Sequence, residues 1–309
     1  MGASLPGSLQ HIDGDFGEEG NFVSLIQRET PYPHWEFSDP VSSDLLRVVP
    51  ERGGLITGWR SGGHEVLYLD LERLHEPAQS VRGGMPVLFP STERLPDNRL
   101  PLPQGVFNLG EYGFAQQLPW RLEELADGRG VQLQLGETHE TFKIYPFWFL
   151  LTMNVRLDPG AMEITVLVEN RGNTTMPFNF GLHPYFNLSS LESARFEGLP
   201  SRCFNNRTMQ EASAAEQMNS LASGIDLMVE PTGPIWLVDE TAGTTLELEL
   251  IHPLDLVVLR TEPPRAMVCI QPWSTARQAL VSGDRRLGLR PGTSTRFRTR
   301  YAFRAPRRP

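Results

Sequence analysis

Four short segments hold the side chains best suited to chemistry. In SVRGGMPVLFP (80–90) a single guanidinium, Arg82, precedes Gly83 and Gly84, and a guanidinium forks well onto a pair of hydroxyls or an anion. EYGFAQQLPW (111–120) offers Glu111, Tyr112 and Gln116; a phenol hydrogen-bonds but titrates only near ~10. NFGLHPYFNL (179–188) carries His183, a group that ordinarily titrates near neutrality. CIQPWSTARQAL (269–280) places Gln271 beside Trp273. The amide of Gln271 both donates and accepts hydrogen bonds but takes no proton at ordinary pH. Asp226 stands apart, in Gly224-Ile225-Asp226. Each has a purely structural explanation: His183 as a satisfied core histidine, Arg82 paired with a structural carboxylate, Asp226 ending a turn, Gln271 as neutral packing, and Trp59, Trp148 and Trp273 as core.

Composition removes several classes of function. The two cysteines, Cys203 and Cys269, are far apart and form no C-x-x-C, so neither a disulfide framework nor a zinc knuckle is expected. No metal or other cofactor is called for. The formal net charge of −9 disfavours a nucleic-acid or membrane-surface binder, because phosphate attraction needs a basic face. No apolar run approaches the ~18 residues of a membrane helix, and MGASLPGSLQHIDGD lacks the basic and apolar regions of an export signal. A reducing cytoplasm is the expected compartment. Six of the last fourteen residues are Arg, at 296, 298, 300, 304, 307 and 308; the first three read best as the solvated face of an alternating strand.

The elements that must position these side chains are strands. Hydrophobic residues make up 39% of the 309-residue chain and recur with period two. Met162, Ile164, Val166 and Val168 alternate with Glu163 and Thr165; Leu246, Leu248 and Leu250 alternate with Glu247 and Glu249; Phe297, Tyr301 and Phe303 alternate with Arg298 and Arg300. IYPFWFLLTM (144–153) is apolar on both parities and predicts a strand covered on both faces. Turns are expected at Asp158-Pro159-Gly160, Arg171-Gly172-Asn173 and Gly283-Asp284. One helix is expected within 207–222, where apolar residues recur every three positions. The fold class is therefore all-β, mostly antiparallel, in one domain over 21–304, with a Gly-rich acidic leader at 1–20 and a basic tail at 305–309.

Taken in order, PERGGLITGW (50–59), SVRGGMPVLFP, NFGLHPYFNL and CIQPWSTARQAL, with a weaker match in EYGFAQQLPW, resemble the aldose 1-epimerase family, in its hexose-6-phosphate mutarotase-like branch. The resemblance covers roughly 22–303, and the ordered set is more specific than any one motif. It implies a galactose mutarotase-like β-supersandwich with a sugar cleft on a concave face, and a hexose or related sugar as partner.

Mutarotation opens and recloses a hemiacetal ring, so it needs a base for the anomeric hydroxyl and an acid for the ring oxygen. The resemblance implies that His183 is the acid, that the base position is occupied by Gln271, and that Asp226 contacts sugar. A second family histidine is replaced by Tyr112, and the basic residues that flank it in the phosphate-recognising branch are replaced by Glu111 and Gln116; Arg82 is retained. Three readings stay open: a sugar-binding relative with weakened or lost mutarotase activity, a working mutarotase with an unrecognised base such as Glu111, Tyr112 or water, and a non-catalytic subunit that meets a protein partner through its leader or Arg-rich C-terminus.

Overall fold

The computed structural model describes residues 25–39, 41–76 and 79–306; the expected leader, and Arg307 and Arg308 of the tail, lie outside the described residues. Within them the period-two segments form antiparallel sheets, as expected of an all-β chain. One eight-stranded sheet runs in the order Ala194–Glu197, Ile235–Asp239, Thr244–Ile251, Ser294–Arg304, Ala161–Asn170, Phe149–Asp158, Gly130–Gly136, Arg121–Glu124. A second takes the order Gln210–Ser213, Arg202–Asn205, Asp226–Val229, Leu256–Thr261, Met267–Trp273, Gly181–Leu182, Val87–Leu88, with Tyr185–Asn187 also paired to Met267–Trp273. A five-stranded sheet holds residues from Leu25–Arg28 to His64–Glu65.

Alternation sorts side chains between the two faces of the second sheet. Leu227, Val229, Val257, Leu259, Val268 and Ile270 join the main core with Val131, Met153, Ile164 and Phe297 of the first sheet. Aromatic contacts close the seam: Phe180 stacks on Phe297 with centroids 4.5 Å apart, and Phe186 meets Tyr301 at 5.3 Å. The opposite parity, Met228, Leu256, Val258 and Trp273, forms a separate apolar patch against Tyr112 and Phe204. That second face is where the site lies. On the first sheet Arg296 and Arg298 face solvent beside buried Phe297 and Thr299, as the alternating pattern predicts, and Arg298 pairs with Glu163 at 2.5 Å.

Two expectations need correction. The run 144–153 is not one doubly covered strand. Ile144 ends a short helix, His139–Ile144, whose first turn is closed by Thr138 and Thr141 in a reciprocal capping box. Tyr145 and Phe147 are buried, but Trp148 is 52% exposed and rests on Phe142 with centroids 5.6 Å apart; Trp148 is therefore no core residue. The strand begins at Phe149 and alternates in burial. Its apolar doubling reflects a surface aromatic pair rather than two covering layers. Within 207–222 the helix shrinks to Ala214–Met218, N-capped by Ser213, and Gln210–Ser213 is instead a strand paired with Arg202–Asn205. Hairpin hydrogen bonds outcompete the weak three-residue periodicity, and Met209 is left in a left-handed turn, 50% exposed.

Phe89 sits at the centre of the aromatic core, within 6.0 Å of Phe114, Tyr145, Phe149 and Phe178 by ring centroid. Phe89→Ala is expected to cost roughly 3–5 kcal/mol, read as a lowered urea midpoint at unchanged slope; a loss below about 1 kcal/mol would show that the cluster relaxes into the void.

Candidate active site

The cleft is built from the apolar-patch face of the second sheet and the loops above it. Asp226 and Arg260 are cross-strand neighbours, as are Val258 and Gln271, and Trp273 follows two residues beyond Gln271 on the same face. The sequence sets this geometry directly, because residues two apart on a strand point the same way. Gln271 is 2% exposed and has no side-chain hydrogen-bond partner among the described residues.

Loops supply the other wall. Gly83 and Gly84 carry Arg82 past the backbone of Tyr68 and Ile56, where a Cβ on Gly84 would lie 2.4 Å from the Ile56 carbonyl oxygen. The 111–116 loop hangs on Phe89, whose carbonyl accepts hydrogen bonds from the Phe114 and Ala115 amides at 3.0 and 3.2 Å. A Cβ on Gly113 would come within 2.1 Å of that carbonyl; Tyr112 precedes it in the left-handed region, with φ 63°. This conformation sets the Tyr112 ring edge-on to His183 at 5.9 Å, while Tyr185 stacks on the imidazole at 4.7 Å.

Two adjoining cavities result, sharing Glu111, Tyr112 and Arg260. One, of about 170 Å³, is lined by Asp226, Gln271 and Trp273 together with Glu93, Asn206 and Arg277. The other, of about 240 Å³, is lined by Arg82, Gln116, His183 and Tyr185. The candidate site residues thus line one or other of two adjoining cavities: Gln271, Asp226 and Trp273 the first, His183, Arg82 and Gln116 the second, and Tyr112 both. The structure adds Arg260, Glu93 and Arg277. Arg260 has a sequence signal, being the one charge in the apolar strand LVVLRT; Glu93 and Arg277 have none, because loop folding brings them in.

The electrostatics are closely matched. Arg82 and Arg260 both pair with Glu262, Arg260 at 2.8 Å. Arg94 pairs with Glu111 at 2.8 Å, and Arg277 lies 3.4 Å from Glu93. Asn206 donates to Asp226 at 2.7 Å. Burial holds the Glu93 carboxyl above its usual range, countered in part by the Gln278 amide and Arg277. Burial also raises the Tyr112 phenol to about 12, with Glu111 adding to the effect. His183 moves the other way: burial, with repulsion from Arg260 and Arg82, lowers it to about 3. Its ring is neutral at ordinary pH, and its buried Nε2 has no hydrogen-bond partner. No cluster of acidic, histidine or cysteine side chains suited to a metal ion occurs among the described residues.

Comparison with known proteins follows the same lines. Residues 43–301 match the sequence profile of the aldose 1-epimerase family. The chain belongs to that family. It is 28% identical over 190 residues to an Escherichia coli (strain K12) protein named "Putative glucose-6-phosphate 1-epimerase"; the match takes in 60% of this chain and 58% of that relative. A relative of the same name from Cenchrus ciliaris is matched over 52% of its length, so the chain spans little more than half of these curated relatives. Among solved structures, the Slr1438 protein from Synechocystis sp. PCC 6803 superimposes with a TM-score of 0.84 at 27% identity, covering 88% of this chain and 96% of that one. A galactose 1-epimerase from Lactobacillus acidophilus NCFM gives 0.71 at 13% identity, covering 91% and 98%. The latter likeness concerns the fold, which is galactose mutarotase-like. No helix among the described residues is long and apolar enough to cross a membrane.

A depressed histidine has a thermodynamic signature. In the unfolded chain His183 binds a proton below ~6.5, whereas in the folded protein it stays neutral to about 3. Between those values the unfolded state holds the extra proton, so stability falls as pH falls. Relative to wild type, His183→Gln is therefore expected to gain stability between about pH 7 and about pH 4. A stability difference that stays constant across that range, in urea unfolding, contradicts a neutral buried imidazole.

Proposed function

We propose that this family member binds a hexose in the Gln271–His183 cleft and has weakened or lost mutarotase activity. The observation that carries the reading is Gln271, buried in the cleft and offering an amide at the position that the family resemblance assigns to the proton acceptor. The surroundings do not compensate through the groups first considered. Tyr112 has its phenol raised to about 12, and Glu111 is committed to Arg94. His183 keeps an N–H for a ring oxygen but is no ready imidazolium. A carboxylate at position 271 would supply the missing acceptor and, across the cleft, would raise His183 toward a working acid.

The charge balance also bears on the ligand. The names of the curated relatives concern glucose 6-phosphate, yet here Arg82 and Arg260 are held by Glu262, and Glu111 and Gln116 stand on the rim. Neutral hexoses are the better match, since a phosphate would have to compete for guanidiniums already paired.

One observation favours a second reading, an active hexose mutarotase with a non-standard base. Glu93 is a buried carboxyl, held above its usual range, that lines the same cavity as Gln271. A raised carboxyl near a reacting centre suits general acid–base work.

Anomer exchange of glucose and galactose, followed by NMR magnetisation transfer and corrected for buffer, separates the two. We expect the native protein to add little, Gln271→Glu to raise the rate by roughly tenfold or more, toward the ~10²–10⁴ of a fully placed general catalyst, and Tyr112→His to augment that gain. His183→Ala should abolish it. Enzyme-like exchange by the native protein that survives Gln271→Ala but is lost in Glu93→Gln establishes the second reading instead. For the ligand, calorimetric titration should show glucose or galactose binding more tightly than its 6-phosphate, and the reverse order overturns that assignment.

A further inference from the structure

A third cavity, of about 660 Å³, opens next to the Gln271 end of the cleft. Strand parity makes the two continuous. Phe204, Met228 and Leu256 face it, and two residues along the same strands and loops lie Asn206, Asp226 and Val258 of the sugar cleft. Arg277 lines both spaces, and Met228, Leu256 and Val258 belong to one apolar patch with Trp273. The cleft floor thus changes from polar to apolar along a single sheet face. Met209 overhangs the apolar end, 50% exposed.

We infer that the ligand is a hexoside, a hexose whose anomeric oxygen bears an apolar alkyl or aryl group, with the sugar in the cleft and the substituent on Phe204, Met228 and Leu256. The inference rests on the sugar-binding reading above and names the ligand class. Two facts point to this occupant. Gln271 stands at the anomeric position that the family resemblance implies and beside the apolar extension; a glycosidic oxygen has no proton to give up, and an amide N–H is the donor it can accept from. A second sugar ring, by contrast, would set hydroxyls against the apolar side chains of Phe204, Met228 and Leu256, and the charged groups around them already face one another: Arg202 with Glu211, Arg285 with Glu230 and Asp255, and Arg277 with Glu93. Methionine suits a flexible apolar chain, since it adapts its shape to what it contacts. Loss of the base and gain of an apolar floor then describe one adaptation, to a sugar that cannot open its ring.

Calorimetry with methyl, butyl and hexyl β-glucopyranosides and β-galactopyranosides tests this on the native protein. Affinity should rise roughly three- to fourfold per methylene over the first carbons, while cellobiose and lactose gain nothing over the methyl hexosides. Met209→Asp should flatten the chain-length dependence; the site is exposed, and Asp tolerates a left-handed backbone. Glucose or galactose binding with a flat alkyl series, an equal gain from the disaccharides, or hexanol binding as well as the hexyl hexosides each overturns the hexoside assignment and leaves sugar binding standing. Failure of both free hexoses and all hexosides to bind overturns both.

Discussion

Burial of the strand Met267–Trp273 at each of its seven positions is the constraint on which the site depends. One face, through Val268 and Ile270, is locked into the core shared with the first sheet. On the other, Met267 and Cys269 pack with Tyr185 while Gln271 and Trp273 look into the cleft, where a polar group must find partners among loops or in a ligand. That is why Gln271 matters more than its chemistry suggests: it is held in register opposite Val258, buried, and lines the cleft. The strands on either side inherit the same orientation, and the cleft follows from their alternation.

The packing of the cleft holds its histidine neutral. His183 is buried between neighbours that include the Tyr112 and Tyr185 rings, and the guanidiniums of Arg260 and Arg82 oppose any charge on it. Those guanidiniums are in turn neutralised by Glu262. The outcome is a cleft lined by many hydrogen-bonding groups whose charges are largely paired with one another.

Much of this was legible in the sequence, for a physical reason. Half-buried strands write their burial as alternation, so 161–170, 244–251 and 294–304 could be read one face at a time. The named site residues could be picked out because short ordered segments carry them. What failed were segments where local pattern and tertiary context disagree: 144–153, whose second apolar parity is partly a surface contact between Trp148 and Phe142, and 207–222, where a hairpin displaced most of a weakly periodic helix. Arg260 is legible as a lone charge in an apolar strand, though not as a cleft residue, because only the pairing with Asp226 turns it there. Glu93 was not visible at all, since only the folded loop turns its carboxylate onto the Gln278 amide.

The backbone at Tyr112 has one more implication, for how such a site changes over time. A left-handed φ is a conformation that histidine adopts more readily than most side chains, and here it is fixed from outside, by the Phe89 carbonyl and the space that Gly113 leaves open. The loop therefore specifies where a ring goes without specifying which ring. Position 112 can exchange one ring for another at the tip of a turn, so the side chain facing His183 can change in chemistry while the backbone that aims it stays as it is.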